Sequence, residues 1–295
     1  MMKKSEMTDK MATIDIRQRV EILLDGLPYM RKYAGRTIVI KYGGNAMVNE
    51  ELKTSVMRDL YLLQTIGMKI VLVHGGGPAI DQAMSRLNKP TKFIDGLRYT
   101  DGDDIQIINA VLSGQVNKSL VADLHKIGAR AIGLSGADGH LIQTKQLSTE
   151  LGYVGKIVKI DAEAIKLLLN ANYIPVIASI GIDDRGQLYN VNADTAASEI
   201  AAALNAEQFI LMTDVRGIFR DIKDPDSLYH ELSVDQVQQM LGSGALKGGM
   251  IPKIRAIIAA INNGLKEAVV LDGRVEHSIL LELFSTEGYG SLITQ

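Results

Sequence analysis

The stretch IVLVHGGGPAID, residues 70–81, decides the fold class of this chain. It starts as an apolar, β-branched run, which predicts a buried strand, and three glycines follow at once. Pro78 then stands where a first helical turn would start, and apolar residues continue at helical spacing to Leu87. α/β proteins bind anions with such a strand, glycine turn and helix N-terminus, because backbone N–H groups point out of the turn. A tight turn alone also favours glycine, but three in a row favour anion binding.

Composition limits the classes to which the protein can belong. The chain has 295 residues, of which 46% are hydrophobic and 22% charged, and its formal net charge is −2. This length can bury a large core in one α/β domain or two lobes, and the charge argues against a nucleic-acid partner. The chain has no cysteine, which excludes disulfides and thiolate chemistry. It has no signal-peptide pattern and no membrane-length apolar run, so we expect a cytoplasmic protein without membrane contact.

A second strand, TIVIKYGGNA at residues 37–46, also ends in glycines. Lys41 lies at its carboxyl end, where ligands bind in open α/β sheets. A lysine inside an apolar strand is uncommon without a partner, since an unpaired buried ammonium is costly. Lys41 could instead reach solvent from the end of the strand, but a phosphate contact is the favoured interpretation.

Helices and strands alternate along the rest of the chain, which predicts a mainly parallel sheet with right-handed connections. We expect helices at residues 49–66, 103–127, 161–171 and 233–241, and strands at residues 151–158, 174–178, 269–272 and 290–294. Pro175 argues against a central position for its strand. An amphipathic helix beginning at Ile16 packs either on its own domain or on a neighbouring subunit, and residues 1–12 form a tail.

Two polar segments precede predicted helices. NVNAD, residues 190–194, stands before an alanine-rich helix; Asp194 fits its N-cap, and Asn190 and Asn192 share one side of an extended segment, which suits a polar ligand. GSGALKGGMIPK, residues 242–253, precedes a helix starting near Pro252. Lys253 on the first turn opposes the helix dipole, so a bound anion has to compensate for it.

Several common catalytic and ligand-binding motifs are absent, which limits the reactions that the protein can catalyse. There is no GxxxxGKS/T phosphate loop, no GxGxxG after the first strand, no zinc spacing among the histidines and no nucleophilic triad. Glycine-bearing turns, interpreted as following strands, occur at Gly43, Gly75, Gly217 and Gly248. Two lysines beside such turns suit in-line phosphoryl transfer. No general base is evident. A carboxylate acceptor, ionised above a pKa of about 4, needs none, whereas a hydroxyl acceptor would.

Five motifs in this order resemble the acetylglutamate kinases of the amino-acid kinase family. They are IKYGG at residues 40–44, HGGGP at 74–78, GLRYT at 96–100 together with Asn109, NVNAD at 190–194 and GGMIPK at 248–253. The resemblance covers residues 16–294 and implies a three-layer α/β/α sandwich with a mainly parallel central sheet, plus an N-terminal helix. It implies a tail and oligomerisation helix at residues 1–33, an N-lobe for acceptor binding and dimerisation at 34–200, and an ATP-binding C-lobe at 201–295.

The resemblance also implies an activity. It is ATP-dependent phosphorylation of the side-chain carboxylate of N-acetyl-L-glutamate, a step in arginine synthesis, with Mg²⁺ held mainly by the nucleotide phosphates. Lys41 and Lys253 would stabilise the transferred phosphoryl group and Asp194 would orient both. Arg98, which taken alone is interpreted as a surface arginine, would clamp the acceptor's α-carboxylate. The remaining implied acceptor-site residues are Gly44, Gly75, Gly76, Gly77, Asn190 and Asn192, and the implied nucleotide-site residues are Gly43, Thr213, Asp214, Gly217, Gly248, Gly249 and Met250.

The two ends of the chain resemble the arginine-inhibited hexameric members, in which N-terminal helices interlace dimers into a trimeric ring. The matching effector positions are Tyr29, Glu282, Gly288 and Gly290. Ser291 departs from the pattern, because a threonine usually follows that glycine. Rival interpretations are an aspartate, glutamate, carbamate or uridylate kinase and a catalytically silent arginine sensor. The sequence carries no signal for docking of a PII-type signalling protein, which binds some relatives.

Overall fold

The structure is a computed structural model that describes residues 15–221 and 223–295. The tail predicted at residues 1–12 lies outside the described residues. The helices are α1 Ile16–Asp25, α2 Leu27–Tyr33, α3 Glu50–Thr65, α4 Gly77–Arg86, α5 Gly102–Asn109, α6 Asn117–Lys126, α7 Glu163–Asn170, α8 Ala193–Ala203, α9 Val234–Gly242, α10 Met250–Asn262 and α11 Ser278–Leu283. A π-helical segment, Ala110–Val116, joins α5 to α6.

The strands fall into a large central sheet and two smaller ones. The strands are β1 Thr37–Tyr42, β2 Lys69–His74, β3 Phe93–Ile94, β4 Leu97–Arg98, β5 Ala131–Ser135, β6 Ile142–Gln146, β7 Gly155–Ile160, β8 Ile174–Ala178, β9 Ile180–Ile182, β10 Leu188–Asn190, β11 Gln208–Thr213, β12 Glu231–Ser233, β13 Glu267–Asp272 and β14 Ser291–Thr294. The eight-stranded sheet has the order β12-β14-β13-β11-β1-β2-β8-β5, a second sheet the order β10-β9-β6-β7, and β3 pairs with β4.

The central sheet is mainly parallel, as the alternating sequence predicts. The β13–β14 pair is antiparallel and the other neighbours run parallel. The connection from β1 leads to β2 on one side, while β11 lies on its other side. The strand order therefore reverses at β1, and the crevice at the carboxyl ends of such strands is where open α/β sheets bind ligands.

Helices cover both faces of this sheet, which gives the predicted three layers. Side chains alternate between faces along each strand. Ile38 and Ile40 of β1 pack in one core with α3, α4 and α6, whereas Val39 packs in the other with α7, α8 and α10. The runs of apolar residues in β1, β2 and β11 are buried on both faces, which is typical of parallel strands. No helix in the described ranges has the length and apolar character needed to cross a bilayer.

Several local predictions need correction. Pro175 lies in β8, an internal strand between β2 and β5, and its missing N–H is tolerated because the ladder with β2 begins only at Val176. The helix predicted at residues 103–127 contains the π-helical segment. The predicted strand 151–158 starts at Gly155 and ends at Ile160. Gly248 follows helix α9 and not a strand, and α10 begins at Met250, two residues before Pro252.

The N-terminal helix α1 has no buried residue. Its apolar side chains are exposed, Ile16 by 75%, Leu23 by 63% and Leu24 by 58%. The sequence leaves open whether this helix packs on its own domain or on a neighbouring subunit. In the described chain it does not pack on its own domain. The helix ends at Asp25, and Pro28 lies in the first turn of α2, where its missing N–H removes no helical hydrogen bond.

Candidate active site

Two lysines meet one buried carboxylate at the carboxyl edge of the sheet. Lys41 Nζ lies 3.0 Å from Asp194 Oδ1, and Lys253 Nζ lies 2.5 Å from Asp194 Oδ2. Lys41 and Asp194 are buried, while the Lys253 side chain is 24% exposed. Three residues that are far apart in sequence thus form one charged cluster with an excess of one positive charge.

The fold explains how the three side chains meet. Lys41 shares the face of β1 with Val39, and that face is covered by α8 and α10. Asp194 lies in the first turn of α8 and Lys253 in the first turn of α10. The N-cap predicted at Asp194 is wrong, because Asn192 is the cap and accepts from the Asp194 and Thr195 N–H groups. Because Asn192 caps the helix, the Asp194 carboxylate is not needed as a cap and can contact the two lysines.

The cluster keeps Asp194 ionised. Burial by itself raises the pKa of this carboxyl, but the charges of Lys41 and Lys253 and the bonds they donate lower it further, so the net pKa lies below its ordinary value. Lys253 in turn sits at the positive end of the α10 dipole. The surplus positive charge therefore has no partner within the cluster, and an anion in the adjoining cleft would supply one.

Glycine turns border this cluster. Gly75 follows β2, and its N–H donates to the Tyr42 carbonyl at the end of β1, which ties the two turns together. A Cβ atom at Gly43 would lie 3.0 Å from Lys41 Nζ, and one at Gly76 would lie 2.6 Å from Leu112. Glycine at these positions lets the lysine and the π-helical segment approach the backbone closely.

A cleft of about 310 Å³ opens beside the cluster. The predicted acceptor-site residues that line it are Lys41, Gly44, Gly75, Gly76, Gly77, Arg98, Asn190, Asn192 and Asp194, and Gly43 also lines it. The sequence prediction missed Ser179, which is buried and lines the same cleft. The residue follows directly after β8, so its place at a strand's carboxyl end is the signal that could have identified it.

Arg98 belongs to the cleft and not to open surface. Its side chain is 8% exposed, donates to Asp81 Oδ1 at 2.7 Å and stacks on the Phe93 ring at 4.8 Å. This fixes one edge of the guanidinium and leaves other N–H groups for a ligand. Asn190 donates to Thr100 Oγ1 at 3.2 Å, so its amide is also held in place.

The predicted nucleotide-site residues lie on two segments. Thr213 ends β11, and the Asp214 carboxylate faces Gly44, where a Cβ atom would lie 3.3 Å from Oδ1. Gly217 is buried, and a side chain there would collide with Ser291. Gly248, Gly249 and Met250 stand at the start of α10, one turn ahead of Lys253, and no atom lies within 4 Å of a Cβ placed at either glycine.

The predicted effector residues surround a second pocket of about 470 Å³. Glu282, Gly288 and Gly290 line it, while the Tyr29 ring packs 6.2 Å from the Phe284 ring nearby. Glu282 Oε2 accepts from the Tyr289 and Gly290 N–H groups at 2.6 and 2.9 Å. The pocket is acidic, because Glu231, Glu267, Glu282 and Glu287 line it together with Lys32.

Comparisons with known proteins agree with this geometry. A sequence model of the amino acid kinase family matches residues 36–272. The chain is 47% identical to acetylglutamate kinase of Clostridium beijerinckii over 279 residues, covering 94% of this chain and 98% of that protein. It is 49% identical to the chloroplastic acetylglutamate kinase of Arabidopsis thaliana over 278 residues, covering 94% of this chain and 80% of that protein.

A solved structure shares the architecture. N-acetylglutamate synthase from Neisseria gonorrhoeae, complexed with coenzyme A and N-acetyl-glutamate, superposes with a TM-score of 0.82 at 25% identity over 94% of this chain. The chain spans 63% of the length of that protein.

We expect Asp194→Asn to destabilise the protein in a pH-dependent way. Because its pKa lies below the ordinary 3.8 in the folded state, the ionised carboxylate stabilises the fold at neutral pH, and this contribution is lost as the pH falls below 3.8. The free energy of unfolding in urea should fall by about 2 kcal/mol at pH 7. The difference from the unmodified protein should shrink as the pH approaches 3.

Asp161→Asn is the matched control, since that carboxylate is more exposed and lies 3.9 Å from Lys159. It should change the unfolding free energy by less than about 0.5 kcal/mol at either pH. An Asp194→Asn effect that is the same at pH 7 and pH 3 would contradict the electrostatic origin.

Proposed function

The chain belongs to the amino acid kinase family, and on that premise we propose that it transfers the γ-phosphoryl group of ATP to the side-chain carboxylate of N-acetyl-L-glutamate. The product is N-acetylglutamyl 5-phosphate, an intermediate of arginine synthesis. The observation that carries the proposal is the pair of lysines on one buried aspartate beside glycine turns, in a chain 44–49% identical to acetylglutamate kinases.

The chemistry needs no proton transfer. A carboxylate oxygen of the acceptor attacks the γ-phosphorus, a new O–P bond forms, and the bond to the β-phosphate oxygen breaks to leave ADP. The acceptor is already ionised near neutral pH, since a carboxyl has a pKa of about 4. This agrees with a cleft whose one lining carboxylate, Asp194, is engaged by two lysines.

Catalysis by this site consists of positioning and charge neutralisation. Negative charge on the phosphoryl oxygens would lie against Lys41 from β1 and Lys253 from α10. Asp194 orients both ammonium groups through their 3.0 and 2.5 Å contacts. The glycine turns after β1 and β2 line the same cleft and would supply preorganised backbone donors other than the Gly75 N–H, which already bonds to the Tyr42 carbonyl.

The charge of the cleft favours an acylated amino acid over a free one. Among the described residues that line it, the charged side chains are Lys41, Arg98 and Asp194. Asp194 is already paired twice, so the α-ammonium of free glutamate or aspartate would meet cations without a free carboxylate. The neutral acetamido group of N-acetylglutamate avoids this and can bond to Asn190, while Arg98 pairs with its α-carboxylate.

ATP would enter with Mg²⁺ held mainly by its phosphates, and the ion would supply neutralisation of their negative charge. The turn at residues 213–217 and the start of α10 would line the nucleotide side. The acceptor cleft is built from residues 41–194, which supports a division near residue 200 into an acceptor lobe and a nucleotide lobe. The two lobes share one sheet, since β1 pairs directly with β11.

L-Arginine is the proposed inhibitor, and the acidic second pocket supports this. Burial raises the pKa of Glu267, which lies near Glu207 and Glu231, so the pocket gains from a cation. Among the described residues Glu282 Oε1 has no partner, and a carboxylate is a good acceptor for a guanidinium. A silent arginine sensor would not need Lys41, Asp194 and Lys253 together, so the regulated enzyme is the better interpretation.

We also propose a hexamer in which α1 packs on a neighbouring subunit. The helix exposes Ile16, Val20, Leu23 and Leu24 side by side. A contiguous apolar face of this kind gains free energy by burial against a partner.

The first test measures acyl phosphate formation. Purified protein with ATP and Mg²⁺ should give a hydroxylamine-trapped product with N-acetylglutamate and background signal with glutamate or aspartate. A signal with glutamate or aspartate alone would contradict the assignment of N-acetylglutamate as acceptor but would still show phosphoryl transfer. Absence of signal with every acceptor would overturn the function.

Lysine variants test the site in the same assay. Lys41→Ala and Lys253→Ala should each lower kcat by about 10²-fold or more, because a preorganised stabilising group is removed. Lys266→Ala is the matched control: this lysine is 57% exposed and pairs with Glu207. It should leave kcat unchanged, and full activity of Lys41→Ala would show that the site lies elsewhere.

Glu282→Gln should weaken arginine inhibition at least about tenfold, since one charged pair is lost. The amide oxygen can still accept from the Tyr289 and Gly290 N–H groups, so kcat without arginine should persist. The inhibition constant is measured beside the exposed control Glu276→Gln. Equal inhibition of both variants, or no inhibition of the unmodified enzyme, would contradict the effector site.

Leu23→Asp should convert the hexamer to dimers in size-exclusion chromatography with light scattering. A buried carboxylate at a helix contact is costly, whereas the dimer contact is expected elsewhere in the N-lobe. Glu21→Ala on the same helix should remain hexameric. A hexamer that persists in Leu23→Asp would exclude α1 as the contact.

A further inference from the structure

His74 is the last residue of β2 and is completely buried behind the glycine turn. It does not line the cleft, and the phosphotransfer chemistry described above does not use it. Its two ring nitrogens nevertheless have partners. Nδ1 lies 2.8 Å from the Gly75 carbonyl oxygen, and Nε2 lies 3.1 Å from Asn117 Nδ2.

These contacts determine the proton positions on the ring. Burial lowers the pKa of His74 to about 4, so the imidazole is neutral near pH 7 and carries one N–H. A carbonyl oxygen only accepts, so the proton is on Nδ1, which donates to Gly75. Nε2 is then an acceptor, and the Asn117 amide donates to it.

The orientation of Asn117 is fixed by its surroundings. Its Nδ2 also faces the Val176 and Leu134 carbonyl oxygens at 2.8 and 3.2 Å, and its Oδ1 accepts from Lys118. Only the amide nitrogen suits three acceptors, so the side chain cannot be flipped. Room for it depends on Gly133, where any Cβ atom would collide with Asn117 Oδ1.

The hydrogen bond from His74 sets the plane of the peptide between Gly75 and Gly76. The peptide is trans, so its C=O and N–H point in opposite directions. The carbonyl points back toward the buried ring, and the Gly76 N–H therefore points away from it. Across residues 15–221 and 223–295, nothing in the protein accepts from the Gly76 N–H, and Gly76 lines the cleft that holds Lys41.

We propose that His74 is a positioning residue which, held by Asn117, locks the Gly75–Gly76 peptide so that the Gly76 N–H donates to the phosphoryl group in transfer. Glycine has many accessible backbone conformations, and a turn of three glycines needs an external constraint to present one fixed donor. The ring supplies one at the Gly75 carbonyl, in addition to the bond that the Gly75 N–H donates to Tyr42 and the packing of Leu112 and Val116 beside Gly76. This role rests on the proposed phosphotransfer.

The tautomer is tested first in the unmodified protein by ¹⁵N NMR of ¹⁵N-histidine-labelled enzyme. One of the five histidines should stay neutral at pH 5, with Nδ1 protonated and Nε2 free. His74→Asn assigns the signal by its loss. A His74 ring that is protonated at Nε2, or that titrates near the ordinary pKa of 6.5, would overturn the proposal.

Kinetics test the consequence. The amide of His74→Asn places a donor where Nδ1 was, whereas His74→Leu fills the space without one. His74→Leu should lower kcat by about 10²-fold, the cost of losing one preorganised donor, with the KM values for ATP and acetylglutamate within about threefold. His74→Asn should recover most of kcat. His125→Leu removes a similar ring-to-carbonyl bond, 3.0 Å from the Ala131 oxygen at the other end of the sheet, and should leave kcat unchanged.

The outcomes separate the two proposals. Unchanged kcat in His74→Leu, or equal losses in His74→Leu and His74→Asn, would overturn the positioning role while an active unmodified enzyme leaves the phosphotransfer intact. If the unmodified enzyme transfers no phosphoryl group, the function fails, whatever the NMR tautomer. If His74→Leu does not fold, the NMR spectrum of the unmodified enzyme and the activity of His74→Asn still test the positioning role of His74.

Discussion

The paired contact of Asp194 with Lys41 and Lys253 is the interaction on which the site depends. Two ammonium groups of like charge repel each other, and burial makes each of them more costly. The single carboxylate between them offsets both effects, and its own low pKa shows that the lysines hold it ionised. Without Asp194 the two lysines would lose the carboxylate that both contact, and their mutual repulsion would disfavour holding both ammonium groups at the edge of one sheet.

This constraint also explains the layout of the fold. Lys41 comes from β1, Asp194 from α8 and Lys253 from α10, so the cluster joins elements from both parts of the chain. It lies where the strand order reverses, with β2 on one side of β1 and β11 on the other. Each of these three charged side chains therefore lies at the carboxyl end of a strand or in the first turn of a helix that packs on that face of the sheet.

The sequence predicted what depends on local pattern and missed what depends on tertiary neighbours. Apolar runs and glycine turns were enough for the parallel sheet and the turn at Gly75, whereas the meeting of Lys41 and Lys253 was implied by the family resemblance. Asp194 fits either an N-cap or the partner of the two lysines, because Asn192 has the same cap propensity and only the backbone decides between them. Pro175 was tolerated in an internal strand because the ladder beside it starts one residue later. Ser179 carries only one weak signal, its place directly after β8, and its role is seen once the cleft is assembled.

The effector pocket and the nucleotide turn are joined through the C-terminal strand β14. Ser291 Oγ accepts from the Ile218 N–H and donates to the Tyr229 carbonyl, and it occupies the space that Gly217 leaves open. Arg216 donates to the Tyr289 carbonyl, and the N–H of Tyr289 donates to Glu282. If L-arginine binds here as proposed, a guanidinium that draws Glu282 away from the Tyr289 N–H would change the support of the turn at residues 215–218. A threonine at residue 291 would carry one methyl group more than serine at the place where residue 291 packs against Gly217, and a close-packed interior has little room for it.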